Sequence, residues 1–422
     1  MGFILLLLYS LLAPLIAALY AVFFLLSPRR SLMKSLGGEV RERLGLGEPA
    51  EGPRPVWIHA ASLGEVKAVS KLAPELAKAF NAPLLFTSST ASGRAEASKL
   101  GEARLAPLDF YPCADSFIGR RRPLMLVVAE TEIWPATLYA AARAGVPVFM
   151  VNARISQKTF SLYRALWPLT RLAFSGVKQV LAQTAADAGR FRLLAGLEGR
   201  VTETGNLKHD LLGVSAAGQD KVREFLEASD WHGCPVFTAG STHPAEEPVI
   251  IEAWLEARKK VSNLKLVLVP RHPERLSESE AALRKASAAY LRWSSPVVHY
   301  GSDCLLVDEM GLLQAFYAVS DVCFVGGTLD DTGGHNLLEP ALFAKPSLFG
   351  PNYRNARHAG DALIKGKGGF LAETAPQLAE ILTSLLTDRA AMTAAQLNSS
   401  KVLASLQGAT ARTMAVITEA LR

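Results

Sequence analysis

Gly326-Gly-Thr-Leu-Asp-Asp-Thr-Gly-Gly-His-Asn-Leu-Leu-Glu-Pro340 is the stretch from which the rest of the chain can be read. Before it, Ala318-Val-Ser-Asp-Val-Cys-Phe-Val325 ends in a β-branched and aromatic run of strand type. After it, Leu337-Leu-Glu-Pro-Ala-Leu-Phe343 carries an apolar pattern of helical character. Strand, glycine loop and helix in succession present backbone N–H groups and a helix N-terminus to an anion. Gly333 and Gly334 permit positive φ and close approach of a ligand. His335 and Asn336 add side-chain donors, and the Glu339 carboxylate suits a ribose hydroxyl better than a phosphate. An ordinary strand-to-helix loop is the plain alternative. The surrounding motifs decide between the two.

Outward from this loop, the 422 residues suit two domains, and half of them are hydrophobic, enough for large cores. The net charge of +6 comes from scattered basic residues, with local clusters at Arg29-Arg30 and Arg120-Arg121-Arg122. No basic stripe interleaved with aromatics appears, which argues against nucleic acid as a partner. An anionic membrane surface or substrate fits better. The four cysteines are far apart, without metal or redox spacing, and read as reduced core residues of a cytosolic body.

Phe3 to Leu26 is almost wholly apolar, and a helix of roughly 24 residues spans the ~30 Å hydrocarbon core. Pro28-Arg29-Arg30, Lys34, Arg41 and Arg43 follow it, so the positive-inside rule puts the body on the cytoplasmic face. Residues 1–27 are therefore expected to be an uncleaved single-pass anchor, and 28–55 a basic linker. From Val56 onward, apolar strands alternate with helices. Val56–His59, Leu84–Thr87, Leu124–Ala129, Val146–Val151, Val177–Gln183 and Val201–Thr204 form one series over 56–207. A linker is expected at 208–230. A second series over 231–422 starts at Val236–Gly240 and Leu264–Val269 and ends in helices. The reading is two α/β halves with parallel sheets, sites at the carboxyl edges and a cleft between them.

Several polar residues fall at those strand ends. Glu65 opens a helix after the first strand, either as an ordinary first-turn acid or as a general base for an acceptor hydroxyl. Glu130 and Glu132 close an apolar strand, and period-two alternation would put both on one face, where close like charges raise a pKa. Asn152 and Arg154 close the next strand and are placed to contact the same anionic substrate. In the second half, Arg271, His272 and Arg275 suit a phosphate or carboxylate. Gly240-Ser241-Thr242-His243 is a second donor-rich strand-to-helix loop. No Asp-x-Asp pair stands ready to hold a metal on a nucleotide diphosphate, so backbone dipoles and cations would have to meet phosphate charge.

Together, His59-Ala-Ala-Ser-Leu-Gly-Glu65, Glu130-Thr-Glu-Ile-Trp-Pro135, Asn152-Ala-Arg-Ile-Ser156, Thr204-Gly-Asn-Leu-Lys208, Ala239-Gly-Ser-Thr-His243, Pro270-Arg-His-Pro-Glu-Arg275 and Gly333-Gly-His-Asn-Leu-Leu-Glu-Pro340 stand in one order. This closely resembles the Kdo transferases of Gram-negative bacteria, which add 3-deoxy-D-manno-octulosonic acid (Kdo) to a lipid A precursor. The resemblance runs from the anchor to about residue 360. It implies a GT-B fold, two Rossmann-like domains facing a cleft behind an N-terminal membrane-anchor helix. It further implies CMP-Kdo as donor, inversion at the anomeric carbon, no metal and no cofactor. The enzyme would sit at the bacterial inner membrane, in contact with its lipid.

By the same resemblance Glu65 would be the base, and a glutamate of the pair Glu130 and Glu132 would also be required for catalysis. Ser62, Gly64, Asn152, Arg154, Lys208, Ser241, Thr242, His243, Arg271, His272, Glu309, Met310, Gly311, Gly333, Gly334, His335, Asn336 and Glu339 would bind substrate. A lipid-linked UDP-sugar transferase or a sugar-nucleotide epimerase on the same fold, and a tethered binding protein without chemistry, stay open as alternatives.

Overall fold

The computed structural model describes residues 1–10, 36–194, 196–295 and 301–422. These divide into two compact units, one of residues 1–211 with 407–422 and one of residues 212–406.

The first unit is built on seven strands: β1 (Val56–His59), β2 (Leu84–Ser88), β3 (Glu102–Leu105), β4 (Met125–Ala129), β5 (Val148–Ala153), β6 (Val177–Ala182) and β7 (Val201–Glu203). They are parallel in the order β3-β2-β1-β4-β5-β6-β7. The central strands are apolar almost without interruption because helices cover both faces. Trp57, Leu126, Val128, Val148 and Met150 pack on one side, and Val56, Ile58, Phe86, Val127 and Val151 on the other. The buried Trp57 Nε1 donates to Thr87 Oγ1 at 2.8 Å, which pairs that polar group inside the core.

The second unit repeats the plan with β8 (Val236–Thr242), β9 (Lys265–Pro270), β10 (Tyr290–Arg292), β11 (Cys304–Leu306), β12 (Val322–Val325), β13 (Ser347–Phe349) and β14 (Gly369–Leu371). Its parallel order is β10-β11-β9-β8-β12-β13-β14. The strand order reverses between β1 and β4 in the first unit and between β8 and β12 in the second. Ligands of doubly wound sheets bind outside the carboxyl ends at such a point. Four of the seven motifs quoted above leave those four strands, and the other three lie at the ends of β5, β7 and β9.

Some boundaries differ from the sequence reading. Residues expected as a linker contribute a helix to each unit, Leu207–Asp210 to the first and Gln219–Ala228 to the second, where Val222 is buried. The last helix, Ala409–Ala420, belongs with the first unit, although the sequence reading put it in the second domain. Its Ala409 and Ile417 share a core with Leu207, and the Asp210 carboxylate accepts the N–H groups of Gly408 and Thr410 at 2.6 Å each. Those hydrogen bonds stabilise the helix N-terminus, and they hold the Asp210 carboxyl below its ordinary range despite its burial. An apolar pattern alone does not say which core a terminal helix joins.

Most of the anchor expected at 1–27 lies outside the described residues, as does the start of the 28–55 linker. Residues 2–10 are helical, and Tyr9 donates to Asp109 at 2.8 Å. Phe3, Ile4, Leu7 and Leu8 are exposed, whereas Leu6 is buried. Among the described residues no helix is long and apolar enough to cross a membrane.

Candidate active site

In the first unit the loop after β1 enters the helix Leu63–Val69 through a reciprocal capping arrangement. Ser62 Oγ accepts the Glu65 N–H at 3.4 Å and donates to Glu65 Oε1 at 2.9 Å, while Glu65 Oε2 accepts the Ala61 N–H at 2.8 Å. Both readings of Glu65 are thus visible in one side chain. It caps its helix, and it is a half-buried carboxyl whose pKa is raised, chiefly by desolvation and further by Glu132 and Glu130. Gly64 beside it is exposed.

The alternation expected for Glu130 and Glu132 is absent. β4 ends at Ala129, and Glu130 takes a left-handed conformation, φ 57°, which turns its side chain inward. Lys208 Nζ donates to Glu130 Oε1 at 2.7 Å, and Arg154 Nε lies 3.0 Å from Oε2. Glu132 instead accepts Trp134 Nε1 at 2.6 Å. Asn152 is also left-handed, φ 53°, and fully buried. Its Oδ1 accepts the Leu207 N–H at 2.9 Å, which ties β5 to the Thr204–Lys208 motif, while its Nδ2 has no partner among the described residues. Left-handed non-glycine residues persist only where the surroundings over-determine them. Glu130 directly follows β4, and Asn152 is the penultimate residue of β5, the strand paired with it.

In the second unit β8 shifts register against β9 at Ser241, where φ is 55°. Thr242 is buried and donates to Glu247 Oε1 at 2.8 Å, so its hydroxyl serves the scaffold. His243 and His335 meet Nε2 to Nε2 at 2.9 Å, which requires one shared proton. Burial holds both below the ordinary histidine value, His335 at about 4 with His243 and Arg271 adding to the effect. Asp330 lies 3.9 Å from His243 Nδ1. Burial raises the Glu339 carboxyl, against the Asn336 amide, which donates to it at 3.4 Å, and the charge of Arg271. Arg271 is exposed, and His272 Nδ1 pairs with Glu274 at 3.1 Å. Glu309, Met310 and Gly311 form an exposed turn, where Glu309 accepts Trp293 Nε1 at 3.0 Å. No hydrogen bond or ion pair links that turn to His243, Arg271 or the glycine loop among the described residues.

The loop itself differs from the sequence reading in two ways. It leads into no α-helix: Pro340–Phe343 is one 3-10 turn, ended by Ala344 at φ 56°. Pro340 lacks an N–H and Pro346 follows closely, so the apolar pattern cannot propagate as a helix. Nor are the N–H groups of its glycines free for an anion. Gly333 and Gly334 donate to the Gly327 carbonyl at 3.1 and 2.6 Å, and His335 to that of Gly326 at 3.2 Å. Gly327 donates to Glu246 Oε1 at 2.7 Å, and Thr328 and Leu329 to Glu246 Oε2 at 3.3 and 3.2 Å. Sequence reasoning passed over Glu246. The signal was the acid pair Glu246-Glu247 at a helix start after a strand, since both carboxyls turn out to be fully buried. Burial lifts Glu246 to about 7 in spite of its N–H donors. Among the described residues no group of three or more His, Cys, Asp or Glu side chains is arranged to hold a metal.

Residues 38–211 match the family described as 3-deoxy-D-manno-octulosonic-acid transferase (kdotransferase). The 3-deoxy-D-manno-octulosonic acid transferase of Bordetella pertussis is 33% identical over 88% of this chain and 89% of its own. The chain belongs to the Kdo transferase family. The corresponding transferase of Chlamydophila psittaci is 32% identical over 84% of this chain and 82% of its own. A glycosyltransferase structure from Rickettsia africae superposes with a TM-score of 0.58 over 88% of this chain and 100% of that one, at 12% identity, a likeness of fold alone. As a member of the Kdo transferase family, the protein is a glycosyltransferase with two Rossmann-like domains.

Proposed function

We propose that the protein transfers Kdo from CMP-Kdo to the lipid A precursor lipid IVA, with inversion and without a metal. The observation that carries this reading is the carboxylate group at the ends of β1 and β4. There Glu65, half buried with a raised pKa, lies within the field of Glu130 and Glu132. Glu65 takes the proton of the acceptor hydroxyl, the hydroxyl oxygen bonds to the anomeric carbon, and CMP departs with the electron pair of the broken C–O bond. Lys208 and Arg154 hold Glu130 in place. In the second unit Asn336 and Glu339 bind the nucleotide, and Arg271 meets the phosphate charge that the glycine loop's own N–H groups do not. Purified protein given CMP-Kdo and lipid IVA should yield a product heavier by Kdo on mass analysis. Product formed from UDP-sugars and none from CMP-Kdo would overturn the donor.

Two further results are expected. Replacing Asn336 or Glu339 with Ala should weaken CMP binding by roughly 1–3 kcal/mol, the loss of a partly buried polar contact, measured by calorimetry. Unchanged affinity in folded variants would put the nucleotide elsewhere.

The second result concerns attachment to the cytoplasmic face of the inner membrane through residues 1–27. The exposed Phe3, Ile4, Leu7 and Leu8, and Leu162, Leu166 and Trp167 among Lys158, Arg164 and Arg171, support a lipid-facing surface. Protein lacking 1–27 should become largely extractable without detergent and keep some activity on dispersed acceptor. Equally tight attachment of the truncated protein would count against the anchor.

A further inference from the structure

Glu246 has no place in the chemistry outlined above, yet its carboxylate is the most heavily engaged side chain around the glycine loop. Four backbone N–H groups converge on it, those of His243 and Gly327 on Oε1 at 2.9 and 2.7 Å, and those of Thr328 and Leu329 on Oε2 at 3.3 and 3.2 Å. It is completely buried and begins the helix Glu247–Arg258, whose N-terminus further favours negative charge. Successive N–H groups converging on one point form an anion nest. In phosphate-binding loops such a nest receives the ligand. Here the chain's own carboxylate occupies it.

The surrounding backbone fits this arrangement. Gly326 lies against the carboxylate so closely that a Cβ there would overlap Ser241 O and Glu246 Oε1. Gly327, held by Glu246, in turn accepts the N–H groups of Gly333 and Gly334, and Gly326 accepts that of His335. The bonds run in series from Glu246 through Gly326 and Gly327 to the segment that carries His335, Asn336 and Glu339.

We propose that Glu246 is the positioning residue of the donor site, filling from inside the protein the anion nest of Gly327, Thr328 and Leu329 and thereby fixing the segment Gly333 to Glu339. The inference rests on the reading of that segment as the CMP site. It has a corollary for specificity. A phosphate cannot share the nest with a carboxylate, so the donor's phosphate is directed to Arg271, His335 and Asn336 and away from the first half of the loop.

The test compares CMP affinity, by calorimetry on the full-length protein in detergent, among the parent, Asn336→Ala, Glu246→Gln and Glu246→Ala. A glutamine keeps the shape, but its NH₂ faces either the Thr328 and Leu329 N–H groups or those of His243 and Gly327, donor against donor. Glu246→Gln should weaken CMP at least about ten-fold and raise the donor KM likewise, while the acceptor KM stays and kcat at saturating donor remains within a few-fold. Glu246→Ala leaves the nest empty, and sodium formate should restore most of its CMP affinity while leaving the parent unchanged. Hydrogen exchange of the 326–336 segment should rise in Glu246→Ala and fall again with formate, which keeps the test decisive if the glutamine variant does not fold. Parent-like CMP affinity in both Glu246 variants, with Asn336→Ala impaired, would overturn this inference and leave the donor reading standing. Parent-like affinity in Asn336→Ala, or no CMP binding by the parent, would remove the donor reading and this inference with it.

Discussion

Glu65→Gln should lower turnover by about 10²-fold or more while CMP affinity and the thermal midpoint stay close to those of the parent. The structure sharpens this expectation because Glu65 is also a helix cap. Its carboxylate accepts from Ala61 N–H and Ser62 Oγ. A glutamine can keep both contacts, with its carbonyl on the Ala61 N–H and its NH₂ on Ser62 Oγ, whose hydroxyl has lone pairs to spare. The capping function therefore survives and only the ability to take a proton is lost. Glu65→Ala removes both, and should in addition cost about 0.5–2 kcal/mol of stability as a lost cap. The contrast between the two variants separates the roles. If Glu65 were a cap alone, Glu65→Gln would turn over within a few-fold of the parent, and the base would have to be Glu130 or Glu132.

The pH dependence follows with its sign. A general base works as the anion, so activity falls as pH drops through its pKa. Burial and the neighbouring acids hold the Glu65 carboxyl above its ordinary value of 4.5. The acid limb of kcat/KM should accordingly lie above the usual carboxylate range, and it should be absent from the residual activity of Glu65→Gln.

How far the sequence carried this reading varies from element to element. β1, β2 and β4 were legible because buried parallel strands are uninterrupted apolar runs. β3 escaped because Glu102-Ala-Arg-Leu105 is an edge strand with two charges, and β10, β11 and β14 because three residues carry no period. At the site, the loops after β1, β4, β8 and β12 were identified by their motifs, and the topology puts each pair at a reversal of strand order. What a one-dimensional pattern lacks is backbone conformation and pairing. It could not give the left-handed turns of Glu130, Asn152 and Ser241, nor the capture of the glycine loop by Glu246 from a different strand end. Thr242 shows the same gap, since its hydroxyl points at Glu247 inside the protein.

The second large effect is expected at Glu130, and there charge and backbone separate cleanly. The side chain is 7% exposed and holds Lys208 and Arg154, which are 43% and 62% exposed. Neutralising Glu130 therefore does not strand two buried cations, because both can turn to water. The stability lost in Glu130→Ala should be about 1–2 kcal/mol, well below the ~3–5 kcal/mol of a broken fully buried pair. Because φ is 57° at this position, Glu130→Gly relieves a backbone cost that alanine keeps, and should be more stable than Glu130→Ala by about 1 kcal/mol. Turnover should nonetheless fall about 10²-fold in both, since releasing Lys208 and Arg154 undoes the charge arrangement beside the base. Glu132→Gln should behave differently. Of the two neighbouring acids it acts more strongly on Glu65, so removing its charge makes the Glu65 anion easier to form and moves the acid limb of the pH profile downward. Chemical denaturation, turnover and a pH–rate profile on the three variants together distinguish the roles. Equal stability of the alanine and glycine variants would remove the backbone argument. Near-parent turnover in both would show that the Glu130 cluster supports the fold without serving transfer.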